Sequence, residues 1–309
     1  GTINWYAAAS GGSSLGTGVS FTTPSISSTT SYYVDATEGS CTTASRTAVT
    51  ATILPIPSIT ATSPGSRCGT GTVTLGATAS AGTVNWYTVS SGGVSVATGN
   101  SYTTPSISST TTYYVDATNN GCTTTSRTAV IATVYDIPTI TATTPGSRCG
   151  TGTVTLGATT SAGTVNWYTV SSGGSSVATG NSYTTPSISS TTTYYVDATN
   201  NGCTTGSRTA VVATVNTIPT ITGTTPNSRC GTGTVTLGAT ASAGTINWYA
   251  ASSGGLSLGT ETSFTTPSIS STTTYYVDAT ENSCTTASRT AVTATVYPVP
   301  DAIATPASQ

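Results

Sequence analysis

Apolar and polar residues alternate with a period of two in short bursts along this chain, and each burst stops at Gly, Pro, Asn or Ser. That pattern predicts half-buried β-strands bounded by turns. In residues 55–135 it places strand A near 58–62, B at 71–79 and C at 83–89, followed by a Ser-Gly-Gly turn at 91–93. Strand C′ follows near 94–98, E near 100–107, F at 111–118 and G at 125–134. No segment carries the 3.6-residue period of a helix. Alternation also assigns faces. Val73, Leu75 and Ala77 of strand B, Trp86 of C, Tyr113, Val115 and Ala117 of F, and Val130, Ala132 and Val134 of G are expected to point inward. Asn85, Tyr87, Tyr114, Asp116 and Arg127 are expected on the outer face.

The same text recurs every 81 residues: Trp5, Trp86, Trp167 and Trp248 keep that spacing, as do Cys41, Cys122, Cys203 and Cys284, and Cys68, Cys149 and Cys230. Such a period suits a self-contained domain better than a solenoid unit, which cannot close its own core. Whole copies are expected at 55–135, 136–216 and 217–297. Residues 1–54 read as a partial copy from strand C onward, and 298–309 as a linker and the start of another, as in a window on a longer array. About seven short strands per copy, with a Trp on the third, indicate an all-β fold: tandem immunoglobulin-like β-sandwiches. The expected core is built on the four Trp residues together with Tyr32, Tyr113, Tyr194 and Tyr275. "VTLGA" places Ala77 where such sandwiches carry one central cysteine, and Val115 stands where they carry the other. The usual inter-sheet disulfide is therefore absent, and the cysteines lie elsewhere.

Two pairings fit the cysteine spacing. Bonds within each domain would join Cys68 to Cys122, Cys149 to Cys203 and Cys230 to Cys284, with the partner of Cys41 upstream of residue 1. Bonds between neighbours would join Cys41 to Cys68 and Cys122 to Cys149, leaving Cys284 over. A strand G of about ten residues runs roughly 30 Å, whereas a disulfide needs Cα atoms within about 7 Å; this favours the pairing within domains. Against it, the A–B and F–G turns of a simple sandwich lie at opposite ends. On the loop-entropy relation, a bond closing some 55 residues contributes about 4 kcal/mol, a large share of the stability of a small domain. Regular disulfides also point outside the cytosol.

Composition excludes several functions. Charged residues are 5% of the chain and the net charge is −2, so no basic surface is available for nucleic acid. No apolar run approaches the roughly 20 residues of a membrane span. The chain has no His, which removes Ser/His/Asp and Cys/His catalysis and His metal ligation. All seven cations are Arg, so an isopeptide cross-link through Lys is excluded. One recurring carboxylate per copy (Asp35, Asp116, Asp197, Asp278) is too few for paired-carboxylate glycoside hydrolysis. At the joints only Asp136 and Asp301 could serve calcium. No enzyme activity and no cofactor is expected.

The stretches "ITATTPGSRCGTGTVTLGATTSAGTVNWY" and "SYTTPSISSTTTYYVDATNNGCTT" resemble the Ig-like repeats of very large Bacteroidetes surface proteins, including SprB-like gliding-motility adhesins. The resemblance covers essentially the whole chain. It implies export by the type IX secretion route and display at the cell surface, although the family's C-terminal sorting domain has no counterpart in this sequence. Similar repeats also act as spacers in secreted enzymes.

Three functions follow as expectations. The first is a structural stalk of beads, each roughly 35–40 Å long, carrying an adhesive tip and contacting neighbouring repeats of the same chain. The second is a glycan-binding or spacer module of a secreted polysaccharide-degrading enzyme, using Asn85, Tyr87, Tyr114, Asp116 and Arg127 as a platform multiplied along the array. Cross-strand pairing explains the same five residues without a ligand. The third is a filament subunit associating laterally with like chains, which little charge repulsion would oppose. Arg67 and its equivalents are expected to hold loop carbonyls. The copies differ most at the C–C′ hairpin and strand E, where "TVSSGGVSVATGNSY" at 88–102 becomes "AASSGGLSLGTETSF" at 250–264.

Overall fold

The computed structural model describes residues 1–301 and contains β-strands and loops throughout that range. The expected continuation over 302–309 lies outside the described residues. The chain divides into two compact units, Gly1–Asp136 and Ile137 onward, each holding two copies of the repeat.

Within the second unit, the copy at 136–216 shows how sequence makes the fold. Strand A (Ile140–Thr144) pairs antiparallel with strand B (Thr155–Thr160), which pairs with E (Ser182–Thr184), giving a three-stranded sheet. Pro145 then interrupts the ladder, because proline has no N–H to donate. The chain crosses to the opposite sheet, where Gly146–Cys149 forms a short strand, A′, parallel to strand G (Thr209–Asn216). The second sheet runs C′ (Ala178–Thr179), C (Thr164–Tyr168), F (Thr192–Asn200), G and A′. The first unit repeats this plan in residues 55–135, with A′ at Gly65–Cys68 beside strand G at Thr128–Tyr135. Both copies are therefore two-layer immunoglobulin-like sandwiches.

Alternation places the inward residues together. Val154, Leu156, Ala158, Val165, Trp167, Tyr194, Val196, Val211 and Ala213 form one buried cluster. Ala158 and Val196 occupy the two positions left by the missing central cysteines, both inside the core. The indole of Trp167 is fully buried and donates from Nε1 to the carbonyl of Gly180 at 2.8 Å. Its ring stacks on Tyr183 of strand E, centroids 5.5 Å apart, and Tyr183 meets Tyr194 edge-on at 5.3 Å. Tyr183 and its equivalent Tyr102 were not among the expected core aromatics. Nor was Thr185, 2% exposed, whose Oγ1 accepts from the Val154 amide at 3.0 Å.

Strand A′ is the largest departure from the sequence expectation, which ran directly from A to B. It decides the cysteine pairing. Cys149 lies level with Asn216, the last residue of G, at the pole where the chain leaves the sandwich. Cys203 faces Asn200 across the F–G turn at the other pole. About eleven residue steps along the sheet, roughly 35 Å, separate them. The expected Cys149–Cys203 bond is geometrically excluded, and Cys149 is bonded to Cys284 instead. Cys122 and Cys230 carry free thiols, so the expected Cys68–Cys122 and Cys230–Cys284 bonds are also absent. The rival Cys122–Cys149 and Cys41–Cys68 pairing fails on the same free thiols, since Cys41 is unpaired too.

Among the described residues the copy at 1–54 has the C′, C, F and G strands of one sheet, among them Thr2–Tyr6 and Thr30–Glu38, with Cys41–Thr42 continuing F around its turn. Of its two expected core aromatics, Tyr32 is buried, while Trp5 is only half-buried, since among the described residues no A–B–E sheet covers it.

Candidate functional site

Two constructions stand out: a cluster on the outer face of the C–F–G sheet, which recurs in every copy, and the joint between the copies at 136–216 and 217–297. On the outer face, strands C and F set Asn85 opposite Asp116 and Tyr87 opposite Tyr114. Asn85 Nδ2 donates to Asp116 Oδ1 at 2.8 Å and to Thr118 Oγ1 at 3.1 Å. The Tyr87 hydroxyl donates to the same carboxylate oxygen at 3.3 Å. Arg127 closes the cluster from the segment before strand G. Its Nε lies 3.4 Å from Asp116 Oδ2, and its guanidinium sits 3.2 Å from the centre of the Tyr87 ring. The Nη1 group reaches on to the carbonyls of Val89 and Gly92 in the C–C′ hairpin, at 2.8 and 2.7 Å.

Asp116 points outward as expected, yet only 5% of it is exposed because Arg127 covers it. The charge is tolerable there because an ion pair and two further hydrogen bonds satisfy it. Burial, followed by the hydrogen bond to Asp116, raises the Tyr87 hydroxyl above its ordinary pKa. In the copy at 1–54 the Asn4 hydrogen bond is the largest influence on Asp35; burial opposes it, and with help from Arg46 and the Tyr6 hydroxyl the carboxyl is held below the usual value. Equivalent ion pairs occur at Asp197–Arg208 and Asp278–Arg289. Of the five expected patch residues, four thus form one internally bonded cluster. Tyr114 lies beside it, half-buried.

The second Arg of each copy holds a loop, as expected. Arg148 Nε donates to Gly150 O at 3.0 Å and its Nη1 to Thr153 O at 3.1 Å. Gly152, at φ +154°, lies so close to the guanidinium that a Cβ would overlap it.

The joint between copies 136–216 and 217–297 is covalent. Cys149 and Cys284 form a disulfide with Cα atoms 5.5 Å apart. Cys149 is delivered by A′ to the exit pole, where the Gly150 amide also donates to Asn216 O at 2.9 Å. Cys284 follows the F–G turn of the next copy, where Asn282 and Ser283 hold φ +48° and +63°. The chain itself crosses beside the bond through Ile218 and Pro219, with Pro219 buried and Ile218 reaching over Gly150. A shallow groove recurs at the start of each whole copy, between this segment and the residues that follow the F–G turn: Ile218–Ile221 with Thr286–Ser288, and Ile137–Ile140 with Thr205–Ser207.

A profile of CHU_C-associated Ig-like domains matches residues 1–55, 56–135, 136–216 and 217–298. The chain belongs to this family.

Among solved structures, these CHU_C-associated Ig-like domains are similar to titin domains I67–I69 in an E-to-A variant, at 14% identity over 80% of this chain and all of that one, TM-score 0.44. They are also similar to Sidekick-1 immunoglobulin domains 1–5, at 15% identity over 96% of this chain and 73% of that one, TM-score 0.36. A third similar structure is the three N-terminal domains of the bacteriophage RB49 outer capsid protein Hoc, at 13% identity over 79% and 99%, TM-score 0.38. No curated protein matches the sequence. No helix among the described residues is long and apolar enough to cross a membrane. The joint cysteine pair of these CHU_C-associated domains was missed because its signal is a sum of two poles. Each cysteine sits at the end of its own domain facing a neighbour, and spacing within one repeat carries no trace of that.

Proposed function

We propose that the chain is the structural repeat region of a large bacterial cell-surface adhesin, a stiff extended stalk that holds a binding region away from the cell. The observation that carries this reading is the Cys149–Cys284 bond, which ties one repeat to the next beside a short Pro-containing connection. Two tethers across one joint limit hinge motion, whereas flexible arrays rely on one. Disulfide use and family membership support a place outside the cytosol. Type IX export and a role in gliding remain inherited from the resemblance to Bacteroidetes adhesins and form part of the same proposal. The outer-face cluster favours a structural role over a glycan platform, because Asp116, Arg127 and Asn85 spend their hydrogen-bonding groups on each other and on the C–C′ hairpin. The chain is read as non-catalytic.

Small-angle scattering on the oxidised chain tests the stalk directly. The expected profile is that of a rod, with a cross-section one sandwich wide and a length that rises in proportion to the number of repeats. A compact globule would overturn it.

A further inference from the structure

We propose that the Cys149–Cys284 disulfide is a tension bypass, a covalent shortcut that carries pulling force past the cores of two consecutive repeats. This goes beyond the stalk reading and holds whatever surface or ligand the array serves, because it depends only on where the bond lies in the fold.

In the pair at 137–297, force applied at the N-terminal side enters at Ile137 and runs along strand A and then A′ to Cys149. Without a bridge it would have to pass through every later strand of that sandwich, then through all of the next, before leaving at Tyr297. With the bridge it crosses directly to Cys284 and leaves along strand G of the second copy, Thr290–Tyr297. The bond spans a sequence separation of 135 residues, so strands B to G of the first copy and A to F of the second lie off the loaded path. What remains is about 29 residues between positions 137 and 299, with an extended length of roughly 100 Å. Two sandwiches end to end occupy roughly 70–80 Å along the same line. The shortcut is therefore about a third longer than the folded pair.

The position of A′ makes this work. Because A′ runs parallel to G, both reach the exit pole together, Cys149 beside Asn216. The load leaves the first sandwich at that pole whether it travels through G or through A′. The four-residue A′–G ladder is then not sheared by opposed forces at its two ends, as it would be if A entered and G left under tension alone. In the second copy the force arrives at the F–G turn and continues into G, the strand that already leads to the exit.

The test is single-molecule stretching of the full chain, with handles attached through clickable non-natural residues at positions 137 and 299. In the oxidised protein the contour length between handles should saturate near 10 nm, with no release from either repeat. Adding dithiothreitol in place should raise it roughly five- to sixfold, in two unfolding steps of similar size. The double variant C149S/C284S should behave as the reduced protein without reductant, and reduction in place supplies the same readout should that variant fail to fold. Full-length release from the oxidised wild type would overturn the proposal. So would non-reducing peptide mapping that recovers Cys149 joined to any cysteine other than Cys284. A scattering result against the stalk would leave this outcome standing, so the two readings fail separately.

Discussion

The copy at 1–54 and the copy at 217–297 share the C–F–G sheet, but among the described residues a second sheet covers it in the latter alone. Trp248 is fully buried and Val292 is 2% exposed, whereas Trp5 is half-buried and Val49, the equivalent of Val292, is 39% exposed. The outer face barely notices. Arg46 lies 3.3 Å from Asp35 and 3.2 Å from the Tyr6 ring centre, matching Arg289 with Asp278 and Tyr249. The two faces of one sheet thus rest on different physics. The inner face needs a partner layer to exclude water, while the outer cluster is assembled by hydrogen bonds, an ion pair and a ring contact within the C–F–G sheet and its own loops.

The indoles should show this difference most strongly. Trp248→Ala should destabilise its repeat by about 3–5 kcal/mol, enough to unfold most of a domain this small. Trp5→Ala should cost clearly less. Repeat-resolved proteolysis with mass spectrometry would measure both, and equal costs would mean that the second sheet is not what buries the ring.

A smaller effect is expected on the outer face. Asp278→Ala strands Arg289 over Tyr249 and should cost about 2 kcal/mol, between the values for exposed and buried ion pairs. Asp35→Ala should open the hairpin at 8–11 to hydrogen exchange just as Asp278→Ala opens that at 251–254. Acid should act in the same direction at Asp35. Its carboxyl is held below the ordinary value, so the folded state favours the ionised form. That contribution is complete above the ordinary carboxylate pKa of about 4 and is lost as pH falls through the lower folded value. Hydrogen exchange of the first hairpin across that range reads it out, and protection unchanged by acid would count against the cluster as a stabiliser.

The smallest effect belongs to Leu256, 90% exposed at the hairpin tip. Leu256→Ser should change stability by no more than about 0.5 kcal/mol in chemical denaturation.

Much of the inner face was legible in the sequence, because period-two alternation is a local property. Leu75, Trp86, Val115 and Val130 all lie where alternation put them. The outer cluster was legible as a set of positions, though not as a closed one. Nothing in the spacing of Asp116 and Arg127 reveals that the guanidinium would continue to Val89 and Gly92. Strand A′ was illegible for a different reason. "PGSRCG" reads as turn chemistry, and its pairing with G depends on residues some 65 positions away. The cysteine pairing inherited that error, since placing Cys149 at the A–B turn without the sheet switch concealed its role as an end-of-domain contact. Tyr183 in strand E and Thr185 just after it were missed, because the strand's three paired residues are too few to display a period.

The C–C′ hairpin is gripped by its main chain. Arg127 reads two carbonyl oxygens there, and Arg289 reads Ala251 and Gly254 in the same way although the side chains around them differ. A loop fastened by its peptide groups leaves its side chains unconstrained by the fastening. Mutation can rewrite the tips from copy to copy at little thermodynamic penalty, which makes them the natural sites for grafting foreign epitopes or recognition sequences at regular intervals along the array.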